Sequence, residues 1–343
     1  MRSFLRPKPL QRVQTKPISA RHSPTHCAKQ LVDGKYLTVS DHYRTGLIVL
    51  EELQSLMSPP KKSASHPVKR QREQSYRNKA AHLLVRISNH QAQLDDTAPI
   101  GFLKTLYPDT ADFWLPFVEL QELFGAWRRY TDGHHLAVLG HRLHPFYGTY
   151  VPTRTEHLEL FATWLHQYNG LKKCAIDVGT GSGVLAFLLA KCGFAHIIAT
   201  DNNPNAVESV KREIKRHDQS SITPQVADLF DSTSQQADVI VFNPPWMFGN
   251  TDSLIDRALY FQGDLFPQFF ERAKHQLRPD GQIVLLFSNI MSLVQPKVPH
   301  PIQREIDRGI LQLVDKRRRK VKPSAGHKRT REKVELWILR YAT

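Results

Sequence analysis

The sequence predicts an α/β fold built on a parallel sheet, and three observations carry that prediction. From Lys173 onward, short apolar runs alternate with amphipathic stretches of helical length. The first run, Cys174-Ala175-Ile176, passes into Asp177-Val178-Gly179-Thr180-Gly181-Ser182-Gly183 and then into the small-apolar stretch Val184 to Lys191, which reads as strand, glycine turn and helix. A later run, Asp238-Val239-Ile240-Val241-Phe242, stops at Asn243-Pro244-Pro245-Trp246. Two prolines directly after a strand end its pairing and stiffen the backbone.

The glycine turn is a candidate ligand cradle. Glycine takes left-handed angles at no steric cost and lets a ligand approach the backbone, and the N–H groups that open the next helix point at any anionic group docked there. A dinucleotide fingerprint G-x-G-x-x-G requires glycine where this chain has Val184, which argues against a nicotinamide dehydrogenase. Asp201 ends the second strand, 18 residues after Gly183. A carboxylate there has the placement that takes both hydroxyls of a ribose, and a turn-forming Asp is the plainer alternative. Asn243 stands at the carboxyl end of its strand, where ligands sit in open α/β sheets.

Two motifs carry a resemblance to a known family. Asp177-x-Gly179-x-Gly181-x-Gly183 resembles the cofactor loop of class I S-adenosylmethionine (SAM) methyltransferases. Asn243-Pro244-Pro245-Trp246 resembles the (D/N)-P-P-(F/Y/W) motif of methyltransferases that act on planar nitrogens, namely adenine and cytosine amino groups and glutamine amides. Upstream, Pro152, Arg154 and Glu156 loosely follow the P-R-P-E-T-E-like segment of release-factor glutamine methyltransferases. The combination of H-P-x-Y-G, P-x-R-x-E and N-P-P-W is similar to bacterial methyltransferases of unassigned substrate. The resemblance, to the release-factor glutamine and N6-adenine group with a small methyltransferase domain, spans about residues 140–290. Trp246 stands where the glutamine enzymes have Tyr.

The resemblance implies a seven-stranded Rossmann-like methyltransferase sheet, SAM as cofactor, and a division of site residues. On the cofactor side it places Asp177, Gly179, Thr180, Gly181, Gly183, Asp201, Asn202, Asp228, Leu229 and Asn243. Asp177 is assigned to the methionyl ammonium group, directly or through the loop, or else caps the next helix as a turn carboxylate. Asp228 is assigned to the adenine amino group, with Asp231 as its competitor and Leu229 and Phe230 over the ring. Asn243, Pro244, Pro245 and Trp246 form the catalytic set: the Asn side-chain carbonyl and a proline backbone carbonyl accept from the substrate amine, and Trp246 stacks on a flat acceptor. Arg154, Glu156 and Trp246 are the substrate-side candidates.

Taken in order, residues 1–72 are expected to be a basic, partly disordered region with a linker at 58–72, removable without loss of the cofactor loop. Tyr36 to Val39 reads as a short strand and Gly46 to Met57 as a helix. Residues 73–150 read as a mostly helical accessory region, with helices over 80–94 and 112–130 and a hairpin or arm over 136–151. The stripe Phe113, Phe117, Leu120, Phe124 and Trp127 reads as packing toward the catalytic domain, 151–343. Within that domain the helix over 157–168 precedes strands over 173–178, 196–200, 222–226, 238–242, 282–288, 309–315 and 334–341. Asn203-Pro204 opens a helix as N-cap and first residue. The basic run Lys316-Arg317-Arg318-Arg319-Lys320 falls between the last two strands and reads as a charged hairpin tip.

Charge points to partners. The formal net charge is +15, with +11 in residues 1–80 and +8 in 311–333, so the remainder carries −4. Basic appendages on a slightly acidic core predict a polyanionic partner, RNA or the ribosome and its factors; a solubilising tail is the alternative for the N-terminus. No run approaches the roughly 18 apolar residues of a membrane helix. Three widely spaced cysteines fit a reducing compartment and suggest a cytoplasmic protein, while the acid-free first 30 residues leave organelle targeting as a minority reading. His134, His135, His141 and His144 lack accompanying Cys or carboxylate ligands at metal spacing, so no metal is expected. The reading is a SAM-dependent methyltransferase acting on a planar nitrogen, with a nucleic-acid-binding or ribosome-assembly factor of little turnover as the alternative.

Overall fold

The computed structural model describes residues 4–57, 66–152, 154–230, 235–249, 260–322 and 331–342, with backbone alone at 66–70. Of the linker expected at 58–72, residues 58–65 lie outside the described residues, as do Asp231 and Thr153, while 66–72 are helical. The chain forms two compact units, one of residues 1–5 and 129–343 and the other of residues 6–128.

The smaller unit departs from the sequence reading. It contains β1 (Lys16–Ile18), α1 (Pro24–Val32), β2 (Leu37–Val39), α2 (Tyr43–Met57), α3 (His66–Ala80), β3 (Leu83–Ser88), β4 (Gln91–Ala92), α4 (Phe102–Leu106), β5 (Phe113–Pro116) and most of α5 (Phe117–Asp132). Five strands make one sheet in the order β1-β2-β3-β4, with β5 also on β3. The expected helix over 80–94 is a central strand instead. Leu83, Leu84, Val85 and Ile87 are buried on both faces, so the period-2 alternation that marks a half-exposed strand is missing. The expected helix over 112–130 begins only at Phe117, because Phe113 to Pro116 pairs antiparallel with β3. The aromatic stripe packs inside its own unit: Phe117 lies 5.0 Å from Tyr43 and Trp127 lies 5.0 Å from Phe102. Residues 4–57 are likewise built in. Leu5 and Asn205 exchange two hydrogen bonds at 2.9 and 2.7 Å, and β1 and β2 are integral strands.

The larger unit is a doubly covered sheet. Its elements are β6 (His134–Leu136), β7 (His141–Leu143), α6 (Glu156–Gln167), β8 (Cys174–Val178), α7 (Val184–Lys191), β9 (His196–Asp201), α8 (Pro204–His217), β10 (Ile222–Val226), β11 (Ala237–Phe242), β12 (Met247–Phe248), β13 (Tyr260–Phe261), α9 (Leu265–Gln276), β14 (Leu277–Ser288), α10 (Ile290–Val294), α11 (Pro301–Asp307), β15 (Leu311–Lys320) and β16 (Lys333–Tyr341). Among the described residues the main sheet runs β10-β9-β8-β11-β14-β16-β15, parallel except for β16, which pairs antiparallel with β14 and β15. The chain leaves β8 toward β10 on one side and returns to β11 on the other. The order therefore reverses between β8 and β11, where open sheets of this kind bind ligands. Every residue of β8 and β11 is buried. Leu158, Phe161, Leu185 and Leu189 pack on one face, and Phe266, Phe269, Phe270 and Met291 on the other.

Local signals explain several elements. Asn203 caps α8 by accepting from Asn205 N–H at 2.9 Å, with Pro204 at the first position. The basic run is no hairpin tip: it is the second half of β15, held on β16 from Arg317↔Leu336 to Lys320↔Lys333. Five consecutive cations are tolerated there because successive side chains of a strand point to opposite faces. The histidines of 134–144 sit on and after the β6–β7 hairpin, where His144 Nδ1 meets the Tyr130 carbonyl at 2.7 Å and His141 lies 4.2 Å from His217. No helix among the described residues is long and apolar enough to cross a membrane.

Two outcomes follow from this packing. A chain beginning at residue 73 loses β1 and β2 and bares that side of the central strand β3, and limited proteolysis is expected to find residues 73–128 unprotected; a protease-resistant core there would show the first strands dispensable. His157 in α6 is 3 % exposed with both ring nitrogens unpartnered. Burial, aided by Arg154 and opposed by Glu156, drives its pKa down to about 4. The folded value lies below the unfolded one, so the unfolded chain takes up the extra proton and this contribution to stability is lost as pH falls from about 6.5 toward 4. His157→Phe should be near neutral at pH 7 and gain on wild type by about 3 kcal/mol at low pH in urea titrations, and identical pH slopes for the two proteins would refute the assignment.

Candidate active site

Register places the key residues on one rung. Phe242 pairs with Val178 and Val178 with Thr200, so Asn243, Gly179 and Asp201 emerge side by side from the carboxyl ends of β11, β8 and β9. With about 4.8 Å between strands, Asn243 and Asp201 stand roughly 10 Å apart across the turn.

The turn itself is built on two carboxylates. Asp177 is fully buried, and its Oδ2 accepts from Thr180 Oγ1 at 2.7 Å and from Ala186 N–H at 3.0 Å. It thus fastens the turn to the first residues of α7. Burial raises its carboxyl to about 7, against the pull of those two bonds. Asp201 accepts from Gly181 N–H at 2.9 Å and from Asn203 N–H at 2.8 Å, and burial pushes its carboxyl up as well. Thr180 N–H reaches the Thr200 carbonyl at 2.9 Å. Gly181 and Gly183 have φ of +54° and +85°, and a Cβ at Gly183 would meet Val210 at 3.1 Å, so any other residue there would be strained.

Polar atoms without partners ring this turn. Asp177 Oδ1, Ser182 Oγ and Thr200 Oγ1 are buried and unbonded among the described residues. Each oxygen of Asp201 also keeps a lone pair beyond its one backbone bond. The Tyr150 carbonyl lies 3.5 Å from where a Gly181 Cβ would stand, so the segment before α6 passes over the turn. That segment is tied to α8: Phe146 N–H donates to Ser209 Oγ at 3.0 Å and Asn203 Nδ2 to the Gly148 carbonyl at 2.9 Å. A multi-hydroxyl ligand with an anionic or zwitterionic end fits such a donor and acceptor set.

Other expected site residues fall differently. Asn202 is exposed beside Asp201. Asp228 lies just past β10 with its carboxylate 59 % exposed and 3.7 Å from Arg272, and Leu229 next to it has a φ of +52°. Arg154 and Glu156 do not form a substrate-side pair. Arg154 Nη1 is 2.5 Å from Glu332 Oε1, and Glu156 Oε1 accepts from Lys322 N–H at 2.9 Å, so both clamp the β15–β16 hairpin. Both carboxylates are buried, and a buried charge takes the nearest partner.

Trp246 is corrected in the same way. Its indole N–H donates to Asn243 Oδ1 at 3.2 Å and the Leu286 carbonyl at 3.3 Å, and its ring meets His157 edge-on at 5.2 Å. A half-buried indole has one N–H that needs an acceptor, so it turns inward and does not lie open as a stacking platform. This bond orients the Asn243 amide, since only the oxygen can face an N–H donor. His157 was missed by sequence reasoning; nothing in the pattern of α6 separates it from a core apolar residue.

Comparison with known proteins points to a methyltransferase. Residues 158–295 match the methyltransferase small domain. A Methanocaldococcus jannaschii protein provisionally assigned as a protein N5-glutamine methyltransferase is 30% identical over 125 residues, covering 34% of this chain and 63% of the relative. The ribosomal protein L11 methyltransferase of Clostridium perfringens is 34% identical over 79 residues, 23% of this chain and 25% of the relative. The crystal structure of the ribosomal protein L11 methylase of Lactobacillus delbrueckii subsp. bulgaricus overlaps 54% of this chain and 78% of that one at a TM-score of 0.38 and 19% identity. The chain thus spans less than two thirds of the length of these two sequence relatives. The matched segment, residues 158–295, thus resembles the methyltransferase small domain, which indicates S-adenosylmethionine as the cofactor.

Proposed function

We propose that the chain is an N-methyltransferase that moves a methyl group from SAM to a planar nitrogen, either a nucleic-acid base amino group or a protein glutamine amide. The observation that carries the reading is the shared rung of the glycine turn, Asp201 and Asn243 at the point where strand order reverses. When bound, SAM supplies a sulfonium methyl that is already electrophilic, so no covalent enzyme nucleophile is required.

The chain's residues then divide the labour. Asp201 accepts from the ribose hydroxyls with its remaining lone pairs, and the Gly179–Gly183 turn receives the methionyl end. Asp177, fully buried, acts through Thr180 and Ala186. Asp228 and Leu229 face the adenine side. Asn243 Oδ1, held by Trp246, and the Pro244 carbonyl accept the two N–H bonds of the acceptor amine, which aims its lone pair and favours the positive charge that develops on it. The two prolines keep that carbonyl in place. No general base is needed before attack. Three free cysteines and the basic N-terminal unit and terminal hairpin suit a cytoplasmic protein that works on RNA or the translation machinery.

Asp201→Ala is expected to weaken SAM by about 2–3 kcal/mol in calorimetry, with the melting curve confirming an intact fold; unchanged affinity defeats the ribose assignment. Asn243→Ala should leave SAM affinity nearly unchanged and slow single-turnover methyl transfer by about 10²-fold or more. Asn243→Asp should keep partial activity, since a carboxylate oxygen still accepts from the amine and from Trp246. Equal rates for wild type and Asn243→Ala would remove the planar-nitrogen reading.

A further inference from the structure

The five cations of β15 are split between two faces. Arg317 and Arg319 turn toward α6. Arg317 meets Asp315 at 2.9 Å and Gln167 at 2.7 Å, and Arg319 pairs with Glu159. Lys316 and Arg318 take the opposite face and share one carboxylate, Glu335, each at 3.0 Å. Lys320 and Lys333 face each other in register at the hairpin end, followed by Lys322 and Arg331. All four are exposed, and none has an ion pair among the described residues. One carboxylate therefore serves a patch of six cations, while the α6 face is spent on internal pairs.

Position gives this patch meaning. β16 is antiparallel to β14, with Ser288 opposite Val334. The hairpin end therefore lies at the carboxyl edge of the sheet, the edge that carries Asn243. A short bridge of apolar surface joins the two. Phe248, two residues past Trp246, exchanges backbone bonds with the Gln295 side chain at 3.1 and 2.7 Å. Gln295 ends α10, and Asn289 begins it. Asn289 in turn accepts from Lys333 N–H at 2.7 Å and donates to the Arg331 carbonyl at 3.2 Å. At 1.5 Å per residue, the five residues of α10 span about 8 Å. Along this bridge Phe248, Leu293 and Val294 are 40 %, 43 % and 40 % exposed.

We infer that this surface binds single-stranded RNA, with phosphates on Lys320, Lys322, Arg331 and Lys333 and bases against Phe248, Leu293 and Val294, delivering a base amino group to Asn243. The inference rests on the methyl-transfer reading above and narrows its acceptor. Cationic tracks beside exposed apolar and aromatic side chains are the pattern of single-strand binding, because every unpaired base has an apolar face and every nucleotide a phosphate. A glutamine amide on a protein brings no phosphates to the hairpin. Standing unpaired loops with splayed bases are an ordinary feature of RNA, whereas DNA is held duplex.

The test uses the full chain and an unstructured RNA of about 20 nucleotides, with the same sequence as DNA and as duplex RNA in parallel arms. Fluorescence anisotropy is read between about 50 and 200 mM salt. Wild type should bind the single-stranded RNA more tightly than either alternative. Combining Lys320→Gln, Lys322→Gln and Lys333→Gln should weaken it at least about 10-fold and flatten the salt slope by about 2, since each lost phosphate contact removes about 0.7. Phe248→Ala should weaken binding about 5-fold or more at every salt concentration with the slope unchanged. The lysine variant should retain SAM affinity. Wild type that binds the RNA yet transfers no methyl group to it counts against the methyl-transfer reading and leaves the surface standing. Undiminished RNA binding by the lysine variant, tighter binding of DNA, or no binding by wild type would overturn the inference.

Discussion

Parallel pairing of β8 with β9 on one side and β11 on the other is the constraint on which the rest depends. It sets Gly179 beside Asp201 and Asn243, one residue past the last pair that β8 makes with each neighbour. Strands of this kind are buried on both faces, so their register is held by two cores at once. A slip of one residue in either neighbour would turn an entire apolar strand inside out. The positions of the candidate site are therefore as firmly specified as the core.

Upon that rung, polar groups finish the geometry. Asp177 and Asp201 are spent on backbone N–H groups of the turn and of the loop before α8, and they rigidify the cradle before any ligand arrives. Trp246 does the same for Asn243 from the other side. Pre-set donors and acceptors of this sort cost no reorganisation when charge develops on the acceptor. The cost appears in the buried, unbonded Asp177 Oδ1 and in the raised carboxyls.

The terminal hairpin shows how tertiary structure reassigns charge. In the sequence, five basic residues in a row look like one feature. In the fold, strand alternation gives Arg317 and Arg319 to α6 and leaves the even-numbered side chains with Glu335 alone. Arg154 and Glu156 belong to the same device, since they clamp the hairpin base through Glu332 and Lys322.

By itself the sequence determined what is local. The glycines of the turn, the Asn203-Pro204 helix start, the prolines after Phe242 and the apolar runs of β8, β9 and β11 each carry their own steric or burial signal within a few residues. Only the tertiary structure decided the rest. Leu83 to Ser88 becomes a strand because neighbours bury it on both sides, which erases the alternation a sequence reader relies on. Trp246 and His157 meet across 89 positions of chain, and Arg154 meets Glu332 across 178. Such partners are chosen by proximity in the folded chain and by the penalty of leaving a buried polar group alone, and neither is written in the spacing of residues along the chain.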